Sequence, residues 1–277
     1  METGFLAGRV AWITGGATGM GRAIALALAE AGADVAVGSL PAGSDLPAAA
    51  YAARPDAATF AEIRQAIEEK GVRCLAAALD VREDRSVDDF YRAAVSALGP
   101  IDILVNAAGV SAQEAMAEHD DQTWASVIDI NLNGAYRTIK RCFAPMAEKG
   151  WGRIINIGST AAVVGYPRHS AYCASKAALL GLTRCVALEG AGSGITANAI
   201  NPGSVGTEMM RLGSLRRIAQ GGQGATVEEN FALIAAGMPQ KRLIPAEEVA
   251  ALAVHLCRDE AFGITGEALT ISGGALW

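Results

Sequence analysis

Histidine is scarce in this chain. The three present, His119, His169 and His255, have no ligand spacing, which argues against a catalytic metal site, because such centres gather several protein ligands. Cysteine is equally thin: Cys74, Cys142, Cys173, Cys185 and Cys257 are odd in number, widely spaced and never form CxxC. That pattern fits reduced thiols in a cytoplasmic protein, not a disulfide framework. Positive charge is not in excess, since 23 Lys and Arg face 29 Asp and Glu for a net of -6. A general nucleic-acid surface is therefore not expected. No apolar run reaches the about 18 residues of a membrane span, and Met1 to Arg9 lacks a basic-then-apolar signal pattern. No Pro/Gly-rich linker splits the chain and no internal repeat is visible.

What is present is an apolar, glycine-rich chain. A composition of 51% hydrophobic and 19% charged residues is that of a globular protein, and 277 residues can bury a large core. Apolar runs at 9–14, 34–38, 74–79, 102–106, 153–158, 195–200 and 268–272 read as strands. Between them lie segments with apolar residues at helical spacing, including one long pattern over 124–150. Near-continuous apolar strands alternating with helices predict an α/β fold, a doubly wound parallel sheet of about seven strands. One domain over 1–277 is expected. Two segments break the rhythm. The Ala/Pro/Gly-rich stretch 39–58 reads as an insertion. The stretch 203–245 reads as one or two short helices with glycine hinges, a substrate lid.

The first strand runs into TGGATGMG, residues 14–21. Gly15 allows the sharp turn, Gly19 a close backbone approach to a pyrophosphate, and Gly21 tight helix–strand packing. The helix that starts near Met20 offers free N–H groups and a positive dipole end. In such a Rossmann unit the ribose is read about 20 residues later, at the end of the second strand. That position is Ser39, where no acidic side chain stands to hold both ribose hydroxyls.

Tyr172 and Lys176 stand four apart near a predicted helix start and share a face. An ammonium beside a phenol favours the phenolate and lowers its pKa. Ser159 ends the fifth strand, at the edge where α/β sheets place their ligands. In isolation such a Tyr/Lys pair is usually a surface pair.

The set is not isolated. With TGGATGMG at 14–21, DV at 80–81, NAAG at 106–109, Asn131 in INLNG, Ser159 in INIGS, YCASK at 172–176, NPG at 201–203 and TGEALTISGG at 265–274, the chain from Gly8 to Gly274 resembles the classical short-chain dehydrogenases/reductases. The resemblance implies that Tyr172 is the general acid/base, and that Lys176 lowers its pKa and holds the nicotinamide ribose. It implies that Ser159 polarises the substrate oxygen and that Asn131 holds a water of a proton relay in a locally opened helix. A nicotinamide dinucleotide would meet Gly15, Thr18, Gly19, Met20, Gly21, Ser39, Asp80, Val81, Asn106, Ala107, Gly109, Tyr172, Lys176, Pro202, Gly203, Val205 and Thr207. Relatives that prefer NAD(H) usually carry Asp where Ser39 stands, while those that prefer NADP(H) often carry Arg or Lys where Thr18 and Leu40 stand. The missing acid tips the reading toward NADP(H) over NAD(H). Arg54, folding over to a phosphate, and Asp45, returning to a ribose, are the candidates to decide it. A surface excursion that touches neither is the alternative for 39–58.

Substrate candidates are Ser111, Ala161, Tyr166, His169, Ser204, Met209 and Met210. Being mostly apolar or uncharged, they suggest a neutral, moderately hydrophobic ketone or secondary alcohol. The expected activity is NAD(P)-dependent interconversion of that pair. The runner-up is a 3-oxoacyl-acyl-carrier-protein reductase, for which Arg137, Lys140 and Arg141 would offer a basic dock. A non-catalytic dinucleotide sensor would be expected had the Ser–Tyr–Lys set been broken. The resemblance also implies a homotetramer or homodimer paired through the helices that hold Asn131 and Tyr172. The apolar terminus places Trp277 at a subunit contact or near a neighbour's pocket. No metal, nucleic acid or membrane partner is expected.

Overall fold

A computed structural model describes residues 4–222 and 224–276; Trp277 lies outside the described residues. The first strand, β1 (Val10–Thr14), is wholly buried. It leads through the glycine turn into α1 (Gly19–Glu30) and β2 (Asp34–Ser39). Then follow β3 (Ala50–Tyr51), α2 (Ala57–Glu68), β4 (Cys74–Ala78), α3 (Asp84–Leu98), β5 (Ile103–Asn106) and β6 (Ser111–Ala112). Next come α4 (Asp121–Ile128), α5 (Gly134–Lys149), β7 (Gly152–Ile157), α6 (Ser170–Gly190) and β8 (Ile195–Pro202). The chain finishes with α7 (Glu208–Ala219), α8 (Val227–Gly237), α9 (Ala246–Leu256) and β9 (Ala268–Ile271).

Seven of these strands form one parallel sheet in the order β4-β2-β1-β5-β7-β8-β9. All seven predicted strands are in it. The order reverses at β1, and its last residue, Thr14, pairs with Gly38 on one side and Asn106 on the other. Three strand ends are thus level at the switch point, where α/β sheets open a crevice. One face of the sheet buries Ile24 and Leu28 of α1, Ile63 of α2 and Val249 of α9. The other buries Phe90 of α3, Ile139 of α5 and Val186 of α6, with Trp12 stacked on Phe90 at 5.4 Å between ring centres.

The long helical pattern over 124–150 is not one helix. Between α4 and α5 the backbone opens into a wider π turn over Asp129–Asn133. Gly134, which follows, has no room for a side chain, because a Cβ would lie 2.7 Å from Val81. The opened turn points Asn131 inward, and such turns gather at functional sites. Helices α4, α5 and α6 leave Trp124, Tyr136 and Leu188 exposed on the elements expected to pair subunits.

The segment 39–58 is not a surface excursion. Its short strand β3 pairs antiparallel with β6, Tyr51 opposite Ser111. Arg216 of α7 donates to the carbonyl oxygens of Ala48, Ala49 and Ala50 at 2.6 to 3.3 Å, with its guanidinium 5.1 Å from the Tyr51 ring centre. Segment 203–245 supplies both α7 and α8. With its short continuation to Ser193, α6 is long and apolar enough to cross a membrane. Here it packs its Leu179, Thr183 and Val186 face into the fold.

Candidate active site

The glycine turn is built by exclusion of side chains. A Cβ on Gly21 would lie 2.2 Å from the Gly15 carbonyl oxygen, and one on Gly15, at φ +66, would lie 2.8 Å from the Ala108 backbone. Thr18 precedes α1 without a side-chain cap, and the first turn holds no acidic residue. The N–H groups there remain available to an anion, as the phosphate reading requires.

A cavity runs from this turn across the strand ends. Gly15, Thr18, Gly19, Met20, Gly21, Ser39, Asp80, Val81, Ala107, Gly109 and Thr207 line it, as expected of a dinucleotide groove. So do Leu40 and, from the insertion, Ala52, Ala53 and Arg54. The Ser39 hydroxyl accepts a hydrogen bond from the Ala17 N–H at 3.0 Å and keeps its own proton to donate. Arg54 rests on the Ser44 carbonyl oxygen. Burial works to raise the Asp80 carboxyl pKa, but hydrogen bonds from Arg82 outweigh it and hold the group below the usual carboxylate range. Arg82 also donates to the Asp45 carbonyl oxygen at 2.9 Å, which fastens the insertion to the strand end.

Two expected cofactor residues, Asn106 and Lys176, line neither this cavity nor the one adjoining it. The Asn106 side chain is buried, donates to Asn156 at 2.9 Å and accepts from Thr138 at 2.6 Å. Asn156 in turn donates to Thr183. Asn106 thus ties β5, β7 and two helices together and does not face the groove.

A second cavity, of about 280 Å³, adjoins the first and shares Met20, Thr207 and Met209 with it. Ser159 and Tyr172 line it, as do Pro202, Gly203 and Val205. All seven substrate candidates, Ser111, Ala161, Tyr166, His169, Ser204, Met209 and Met210, line it too. Eight further residues there were not anticipated, among them Tyr51, Gln113, Arg217 and Ile234. Arg217 makes the wall cationic, which departs from the neutral pocket inferred from the sequence.

Ser159 is set by its neighbours. Its N–H donates to Asn201 Oδ1 at 3.2 Å, and its hydroxyl accepts from the Ala161 N–H at 3.1 Å. A Cβ on Gly158 would lie 2.0 Å from Asn201 Oδ1, so only glycine lets Asn201 reach there. Lys176 is buried; its Nζ donates to the Ile157 carbonyl oxygen at 2.7 Å and lies 5.7 Å from the Tyr172 ring centre. Burial pushes the Lys176 ammonium down to about 8. Burial also pushes the Tyr172 phenol up to about 12, against a smaller lowering by the Ser159 hydroxyl. Desolvation is the leading cause of both shifts.

The Asn131 side chain is fully engaged. It donates to the Val110 carbonyl and to Ser175 Oγ, both at 3.0 Å, and accepts from the Val110 N–H at 2.9 Å. Ser175 passes its proton to the Tyr172 carbonyl oxygen at 2.7 Å. Asn131 therefore fixes the start of the helix that carries Tyr172.

Of the expected basic dock, Lys140 lies over the Tyr136 ring at 5.9 Å, while both arginines are paired with aspartates. Arg137 pairs with Asp84 and Asp129, and Arg141 with Asp84 and Asp88. Among the described residues, no cluster of His, Cys, Asp and Glu could hold a metal ion.

The family model described as short chain dehydrogenase matches residues 9–215. D-beta-hydroxybutyrate dehydrogenase of Rhizobium meliloti (strain 1021) is 35% identical over 96% of this chain and 98% of its own. The 3-oxoacyl-acyl-carrier-protein reductase FabG of Pseudomonas aeruginosa is 34% identical over 97% of this chain and 98% of its own. Among solved structures, an actinorhodin polyketide ketoreductase with NADPH superposes with a TM-score of 0.87 at 32% identity, covering 96% of this chain and 97% of its own.

Proposed function

Because this chain belongs to the short-chain dehydrogenase family, an oxidoreductase family, we propose that it interconverts a ketone and a secondary alcohol by hydride exchange with a nicotinamide dinucleotide. The observation that carries the reading is the meeting of two cavities. Ser159 and Tyr172 line one, the glycine turn lines the other, and Met20, Thr207 and Met209 belong to both. A dinucleotide anchored at the turn reaches the reacting oxygen only through that junction.

When bound, the nicotinamide supplies or takes up the hydride. The chain supplies the rest. Ser159 accepts from Ala161 and so has its proton free to donate to the substrate oxygen as charge develops there. Tyr172 gives its proton to the same oxygen. A phenol held at about 12 by burial is protonated at neutral pH, which suits the reductive direction, where it acts as acid. Lys176, held by Ile157, places its ammonium beside the phenolate left behind. We assign the relay that reprotonates Tyr172 to the opened turn at Asn131, whose side chain holds that turn to Val110 and Ser175.

NADP(H) is the cofactor we favour. Ser39 leaves the strand end without an acid, and Arg54 lines the same cavity as Ser39 and Leu40, which supports a cation within reach of a 2′-phosphate. The likeness to a ketoreductase solved with NADPH supports the same choice. An acyl-carrier substrate is not favoured, since Arg137 and Arg141 are committed to aspartates.

Tyr172→Phe tests the reading. Turnover of a ketone panel with NADPH should fall by at least ~10²-fold while NADPH affinity and melting temperature hold. Near-normal turnover would sink the assignment.

A further inference from the structure

Each of the two cavities is lined by a single arginine, Arg54 in the dinucleotide groove and Arg217 in the cavity of Ser159 and Tyr172. The arginines near Arg217 are spent on other partners. Arg211 pairs with Glu208 at 2.6 Å, and Arg216 is taken up by the carbonyls of the insertion. Arg217 has no acidic partner among the described residues. Its Nη1 donates to Asn230 Oδ1 at 3.1 Å, a neutral acceptor on α8. Asn230 is itself buried and takes a second hydrogen bond from Ser214 at 2.8 Å. The guanidinium is therefore oriented but not neutralised.

The rest of the wall agrees. Among the described residues no Asp or Glu lines this cavity, so nothing there repels an anion. Gln113 and Tyr51 add neutral donors, hydrogen-bonded to each other at 3.3 Å. Burial holds the His169 imidazole below its ordinary value against a hydrogen bond at Pro167, and the charges of Arg217 and Arg168 add to the lowering. A planar guanidinium without a counter-charge is best satisfied by two oxygens of a carboxylate.

We propose that the substrate is an oxo acid or hydroxy acid, with a carboxylate remote from the reacting carbon, and that Arg217 is the residue that binds it. A cavity of about 280 Å³ limits this to a compact acid. The proposal rests on the ketone–alcohol reading above only for where the carbonyl sits; Arg217 then selects among ketones by their charge.

The test is a calorimetric titration of the full chain saturated with NADP+, with which a ketone cannot react. The probes are 4-oxopentanoate and its methyl ester, which differ in charge at the far end from the ketone. The wild type should bind the acid at least ~10-fold more tightly than the ester, as loss of a charge-assisted pair implies. Arg217→Gln should bring the two within ~3-fold of each other, and Arg217→Lys should restore part of the preference. Unchanged NADP+ affinity and melting temperature report that the variants fold. If the wild type shows no preference for the acid, or if the preference survives in Arg217→Gln, the proposal is overturned. Should Tyr172→Phe keep full turnover, the catalytic reading fails while this titration, which involves no chemistry, still stands.

Discussion

Replacing Lys176 with Met should remove activity and also change how stability depends on pH. The ammonium is buried and its pKa falls from 10.5 to about 8 in the folded protein. The sign follows from proton counting. Below pH 8 both folded and unfolded chains carry the proton, and the folded state bears the full cost of a buried charge. Between 8 and 10.5 only the unfolded chain keeps it, so stability rises with pH. Above 10.5 the contribution is gone. At about 1.4 kcal/mol per pKa unit, the cost at pH 7 is roughly 3 kcal/mol, and about 2 kcal/mol of it is relieved by pH 10. Methionine has no charge to bury, but it leaves the Ile157 carbonyl without its donor, a pH-independent loss of roughly 1–3 kcal/mol. The variant should therefore be at least as stable as the wild type at pH 7 and lose about 2 kcal/mol relative to it by pH 10. Tyr172, shifted upward, works in the opposite direction through pH 10 to 12, but it is common to both proteins and cancels. Urea unfolding at pH 7, 8, 9 and 10 reads the difference. A wild-type-minus-variant stability that stays flat over that range would refute the buried-ammonium account.

The insertion yields two further expectations. Arg54→Ala should weaken NADPH by roughly 10-fold, the scale of a partly exposed phosphate contact, and leave NADH unchanged in paired fluorescence titrations; equal losses for both would deny Arg54 the 2′-phosphate. Arg216→Ala removes three hydrogen bonds to the insertion and the cation over Tyr51. It should raise KM several-fold with a shift in Tm of only a few degrees, because the contact is peripheral to the core; an unchanged KM would show that the insertion holds its place without α7.

Much of this was legible in the chain itself, and the physics explains which part. The seven strands were visible because a parallel sheet buried on both faces demands near-continuous apolar runs, such as Val35–Val37. The glycine turn was visible because Gly15 and Gly21 sit where any Cβ would collide with backbone. The pairing of β3 with β6 was not. Two residues are too few to show a period, and Tyr51 and Ser111 meet across 60 positions of chain. Arg217 was hidden for a related reason. Nothing local distinguishes it from Arg216, its neighbour, yet one side chain lines the cavity of Ser159 and Tyr172 and the other reaches the carbonyls of Ala48–Ala50. Arg137 and Arg141 of α5 illustrate the converse. Their helical spacing is real, but Asp84 and Asp88 of α3 and Asp129 of the opened turn pair with them, so much of the charge that the spacing suggests is matched. The upward shift of Tyr172 was also beyond reach, since spacing reveals a neighbouring lysine but not the burial that raises the phenol.

The segment 39–58 is a wall of both cavities: Arg54 stands in one, Tyr51 in the other, and Arg82 and Arg216 hold it from either side. Ligands filling both cavities would rest on this one wall, so a free energy that either spent in positioning it would be spent for both, by equal factors. An excursion that in sequence interrupts the regular fold is, in three dimensions, the surface the two cavities have in common.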